Sequence, residues 1–120
     1  MNHAKLWTYG ARSTHTVDGD TIRVIVDHGM RIQSAQSIRI TGVNCPELFS
    51  GDNREAGAAA RDFTMSWLTN SQFDDSDPWP LLITTYKDKQ SFNRYVADVY
   101  NKIGESLAEA IIATNHGVPS

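Results

Sequence analysis

Apolar and polar side chains alternate through the first third of the chain. Ile22, Val24 and Val26 alternate with Arg23, Ile25 and Asp27, the period of two that a strand with one buried face shows. The stretch from Leu6 to Val17 is rich in β-branched and aromatic residues, and Asp18-Gly19 predicts a two-residue hairpin turn with positive φ between the two strands. His28-Gly29 predicts the next turn, into a third strand that ends Ser37-Ile38-Arg39-Ile40-Thr41. The three strands read as an antiparallel meander.

After Pro46 the period changes. Asp52 and Glu55 have capping-box spacing, and Ala56, Ala60, Phe63, Thr64, Trp67 and Leu68 recur at helical intervals, so an amphipathic helix of about 15 residues is expected. Gln72 to Pro80 reads as a polar, proline-containing loop, and Leu81–Tyr86 and Arg94–Tyr100 read as two further strands. Ser106 and Glu109 form a second capping box for a helix over Ser106–Thr114, with Asn115 where a left-handed cap is wanted. The order βββ-α-ββ-α is α+β and mainly β. It suits a small five-stranded barrel of OB type, because closure removes the unpaired edges that an open five-stranded sheet presents. An open α+β sandwich is the alternative that periodicity leaves.

The chain has 120 residues, 40% hydrophobic and 21% charged, which fits one globular domain over residues 1–120, with 1–5 expected as a flexible N-terminus and 117–120 as a short tail. Cys45 is the single cysteine, so an intrachain disulfide and a thiolate zinc site are excluded. No apolar run approaches the ~20 residues of a membrane span, and the N-terminal stretch lacks the apolar core of a signal peptide. The expectation is a cytoplasmic monomer without membrane contact, or a secreted or periplasmic one if the chain is a processed form. Eleven Lys and Arg against fourteen Asp and Glu give a net charge of −3, which does not by itself announce a nucleic-acid binder.

Candidate chemistry gathers at strand ends. Val17-Asp18-Gly19-Asp20-Thr21 sets two carboxylates around a hairpin turn, a pattern that ordinary turn chemistry also produces. Val43-Asn44-Cys45-Pro46-Glu47 leaves a strand with side-chain and main-chain oxygens that a hard cation can collect. Arg39, between Ile38 and Ile40, points to the face opposite those isoleucines, and Arg94 opens the fifth strand. Paired guanidiniums beside carboxylates suit phosphoryl chemistry, since the planar fork matches phosphate oxygens and keeps its charge. Cys45 has no sequence relation to His15, His28 or His116 that would mark a thiol nucleophile, and Asp74-Asp75-Ser76-Asp77 lacks the glycine and distal glutamate of a Ca²⁺ loop.

VDGDT, RITGVNCPE from Arg39 to Glu47, the helix GAAARDFTMSWL and the strand FNRYVADVY from Phe92 resemble, in order and spacing, the staphylococcal nuclease (thermonuclease) family, of which this chain would be a short member. The resemblance runs from about Thr14 to Gly117 and implies an OB-type barrel. It further implies a Ca²⁺-dependent endonuclease that hydrolyses single-stranded DNA or RNA by water attack and leaves 3′-phosphates. Carried onto this chain, it makes Asp20, Asn44 and the main-chain carbonyl of Cys45 the Ca²⁺ ligands, with Asp18 and Thr21 supporting them. Glu47 would hold or deprotonate the attacking water, Arg39 and Arg94 would bind the scissile phosphate, and Phe92 would stack on a nucleotide. Asn44 stands where the family usually has Asp, so weaker Ca²⁺ binding is expected; Phe92 replaces a tyrosine; and the chain stops before the family's third helix. A nuclease-like OB module that binds nucleic acid or protein with weakened catalysis is the competing expectation.

Overall fold

The computed structural model describes residues 7–46, 54–87 and 95–120. Strands β1 (Thr8–Asp18), β2 (Thr21–Asp27) and β3 (Gln33–Ile40) form the predicted meander, followed by the two-residue strand β4 (Val43–Asn44). Helix α1 (Arg54–Asn70), strands β5 (Leu81–Lys87) and β6 (Tyr95–Asn101), helix α2 (Leu107–Ala113) and a second two-residue strand, β7 (Val118–Pro119), complete the chain. Five strands close a barrel in the order β1-β2-β3-β6-β5, and β4 pairs with β7 outside it. The domain is therefore α+β and mainly β, and the open sandwich is excluded.

Alternation decides which side chains fill the barrel. Ala11, Ile22, Val24, Val26, Ile38, Ile40, Leu81, Ile83, Ala97 and Val99 point inward and are almost completely buried. Four of the five barrel pairings are antiparallel; β3 and β6 run parallel, with Arg39 opposite Val96. Strand β1 serves both β2 and β5, and two register shifts, between Ser13 and His15 and between Thr16 and Asp18, bend it around the barrel.

The helices close the flanks. Gly57, Ala60, Thr64 and Leu68 form the buried face of α1. Ala56, expected on that face, is exposed, and Gly57 is buried in its place. Asp52, the expected cap of α1, lies outside the described residues. In α2 the Ser106 hydroxyl accepts from the Glu109 N–H, as the capping box requires. Its far end is a Schellman turn: Asn115 has φ +61°, its N–H reaches the Ile112 carbonyl, and the His116 N–H reaches that of Ile111. No helix among the described residues is long and apolar enough to cross a membrane.

Candidate functional site

The β1–β2 turn is Gly19-Asp20, between the paired residues Asp18 and Thr21. Gly19 does not take the positive φ expected of it; among the described glycines that conformation belongs to Gly29, Gly42 and Gly104. What requires glycine here is space. A Cβ on Gly19 would lie 2.8 Å from the Ala60 Cβ of α1 and 2.8 Å from Cys45 Sγ. The turn is fastened from two sides: Thr64 of α1 donates its hydroxyl to the Gly19 carbonyl at 2.6 Å, and the Ile40 N–H donates to the Asp20 carbonyl at 2.8 Å.

This fastening brings distant residues together. Asp20 is nearly buried, and its Oδ2 accepts the Cys45 N–H at 2.9 Å and lies 3.1 Å from Arg39 Nη1, while Thr21 Oγ1 donates to Oδ1 at 3.3 Å. Arg39 projects from β3 beside Thr21, on the outside of the barrel as the alternation predicts. Its Nη1 also donates to the carbonyls of Ile40 at 3.2 Å and Val43 at 3.0 Å, and its Nη2 donates to Asn44 Oδ1. Gly42, at φ +85°, turns the chain between β3 and β4, so that the Val43 carbonyl and the Asn44 amide fold back over the guanidinium. Strand β7 backs β4: Asn44 pairs with Val118, and a Cβ on Gly117 would come within 2.8 Å of the Asn44 carbonyl oxygen.

Asp18, Asp20, Thr21, Arg39, Asn44 and Cys45 thus share one end of the barrel. Glu47, Phe92 and Arg94 lie outside the described residues. The Cys45 thiol is pushed up from 9.0 to about 12, first by burial and then by the charges of Asp20 and Asp18, with Arg39 opposing. It is a protonated packing group at neutral pH, and nucleophilic thiol chemistry has no thiolate to start from.

The oxygens fit a cation in kind. Asp20 Oδ2 and Asn44 Oδ1 both accept from one guanidinium, so they converge on a point where positive charge already sits. Among the described residues no group of three or more His, Cys, Asp or Glu side chains is placed to hold a metal ion; the expected set here needs an amide and a main-chain carbonyl beside its carboxylates.

Sequence reading missed three contributors. Thr64 looked like one polar residue on an apolar helical stripe, and its bond to the turn is tertiary. Gly117 and β7 looked like a tail, although a glycine directly after a capped helix is a signal of close approach. His116 stacks on Phe63 with ring centroids 4.7 Å apart and, with Asn44, Cys45 and Pro46, walls a cleft of about 510 Å³ beside the site. No protein-family model matches the chain, and no curated protein matches it.

Proposed function

We propose that the chain is a Ca²⁺-dependent phosphodiesterase, an endonuclease for single-stranded DNA or RNA built on an OB-type barrel like that of the staphylococcal nuclease family. The observation that carries this reading is the Asp20–Arg39–Asn44–Cys45 cluster, in which groups from the β1–β2 turn, β3 and the β4 exit interact at one barrel end. A phosphodiester is an anion, and its hydrolysis needs cations aimed at the oxygens on which charge grows. Arg39 has the planar fork for that role, and its bonds to the Ile40 and Val43 carbonyls tether the guanidinium at this barrel end. Asp20 and Asn44, with the Cys45 carbonyl, would hold Ca²⁺, which when bound neutralises phosphate charge and orders a water. Glu47 is the proposed base for that water and Arg94 the proposed second phosphate ligand. Thr21 and the Cys45 N–H keep the Asp20 carboxylate oriented.

The test is degradation of single-stranded DNA and RNA in millimolar Ca²⁺, with products checked for 3′-phosphates. Activity that stops in EDTA supports the reading, and activity indifferent to chelation refutes it. One observation favours a second reading, a binding module with weakened catalysis: Asn44 brings no charge, and Arg39 already pairs with the Asp20 carboxylate. Nucleic-acid binding without turnover under any divalent ion would select it.

A further inference from the structure

The Arg39 guanidinium does more at this site than face a phosphate. It spans both side-chain oxygens expected of the cation site, Asp20 Oδ2 at 3.1 Å and Asn44 Oδ1, while Nη1 also holds the Ile40 and Val43 carbonyls. Among the described residues the other hydrogen bonds to the Asp20 side chain come from a backbone N–H and a hydroxyl, which carry no net charge. One carboxylate and one guanidinium make the described part of the pair neutral overall.

We infer that Arg39 is the built-in cation of the Asp20–Asn44 pair, and that a divalent ion enters only by displacing the guanidinium from those two oxygens. The inference rests on the reading of this cluster as a cation site, but not on catalysis. Asp20 Oδ2 already accepts from both the Cys45 N–H and Arg39, so an ion arriving at that oxygen competes with the guanidinium, and its apparent affinity is set by how firmly Arg39 holds the site. The bonds to Ile40 and Val43 need not break with the other two, because those carbonyls are not among the expected metal ligands. The guanidinium can pivot about Nη1, which keeps its two hydrogens on those carbonyls, and the Nη2 donors it withdraws from Asn44 then face outward. Ion entry thereby exposes the group proposed to bind phosphate, and by linkage a bound phosphate would tighten ion binding by the same factor. Substituting Asn44 for the expected carboxylate strengthens the arginine's position, since the arriving ion finds one full negative charge where two would otherwise draw it in.

The test is calorimetric Ca²⁺ titration of the intact protein, Arg39→Gln and Arg39→Lys, without nucleic acid. Lysine keeps the positive charge but lacks the planar fork that reaches Asp20 and Asn44 while holding two carbonyls. Displacement predicts at least tenfold tighter Ca²⁺ binding in Arg39→Gln and a clear tightening, threefold or more, in Arg39→Lys. Binding detectable only in the variants also supports it. If Arg39→Lys matches the parent while Arg39→Gln tightens, charge repulsion at a distance explains the result and displacement is wrong. Weaker binding in both variants, or no Ca²⁺ binding in any of the three proteins, overturns it as well. Melting curves without Ca²⁺ establish that each variant is folded; if Arg39→Gln is not, Arg39→Lys decides alone. Because no substrate is present, a protein with no nuclease activity can still pass this test, and an active nuclease can fail it.

Discussion

Gly19→Ala is the sharpest probe of how the site is assembled. The added methyl would sit 2.8 Å from both Ala60 Cβ and Cys45 Sγ, where carbon contacts ordinarily settle at about 3.5–4.0 Å. Neither neighbour is the free end of a long side chain. Ala60 is fixed on α1 and is completely buried, and Cys45 is held by its N–H bond to Asp20. Relief therefore requires moving the helix or the β4 exit by several tenths of an ångström. Overpacking of this kind costs about 1–3 kcal/mol, against which the lost glycine entropy of the unfolded chain returns about 0.4–1 kcal/mol. For a domain of this size 1 kcal/mol is about 4 °C, so Tm should fall by up to about 10 °C in a thermal melt followed by circular dichroism. Cys45→Ala in the Gly19→Ala background removes Sγ and leaves the Ala60 contact and the Cβ of residue 45 at 3.0 Å, so part of the loss should return, and the double-mutant cycle should show a coupling of about 0.5 kcal/mol or more. An unchanged or raised Tm in Gly19→Ala, or strict additivity in the cycle, would refute the claim that close approach is what demands glycine at this turn.

Asn44→Asp places a second carboxylate against Arg39 and the expected cation, and should tighten Ca²⁺ binding about tenfold or more in a calorimetric titration; equal affinity would remove residue 44 from the site. Thr41→Val deletes a buried hydroxyl that has no hydrogen-bond partner among the described residues, and should raise the urea midpoint by an amount equivalent to about 1 kcal/mol, whereas a lower midpoint would mean the hydroxyl is satisfied. The Cys45 thiol should react with a disulfide reagent at pH 8 at least about tenfold more slowly than a free cysteine, its scarcer thiolate being only partly offset by higher nucleophilicity, and rates equal to those of free thiol would contradict the raised value. Because its folded-state value lies above 9.0, its share of stability is fully present below about pH 9 and is lost as pH rises toward 12, a decline that Cys45→Ala should reduce in alkaline melts.

Local pattern carried the barrel a long way. Period-two alternation assigned Ile22, Val24, Val26, Ile38 and Ile40 to the interior and Arg39 to the outside, because facing is a property of neighbouring residues on one strand. The cap at Ser106 and the left-handed Asn115 were legible for the same reason, as each is settled within a few residues of chain. Beyond the β1–β2–β3 meander, pairing partners were not. Nothing in β3 or β6 alone says that they run parallel side by side, and two-residue strands such as β4 and β7 are too short to leave a periodic trace. The Asp18-Gly19 dipeptide suggested a positive-φ turn because that is its commonest local use, yet contacts with a helix and a loop 26 or more residues away decide the matter. Glu47, Phe92 and Arg94 lie outside the described residues, so their proposed roles rest on the sequence resemblance alone.

The site is held by the fold's own hydrogen bonds. Thr64 and the Ile40 N–H fix the turn through its main-chain carbonyls, the Cys45 N–H orients Asp20, and β7 backs Asn44, each independently of any ion. A cluster of several bare carboxylates at such a place would repel itself until a metal arrived, and folding and metal binding would then be strongly linked. Here the Asp20 charge has Arg39 beside it, and the neighbouring oxygen of Asn44 is neutral. The barrel end can therefore stand preformed without a divalent ion. Metal affinity and fold stability become separable quantities, so substitutions at residue 44 should move the first far more than the second, while substitutions at Gly19 and Thr64 should move both together.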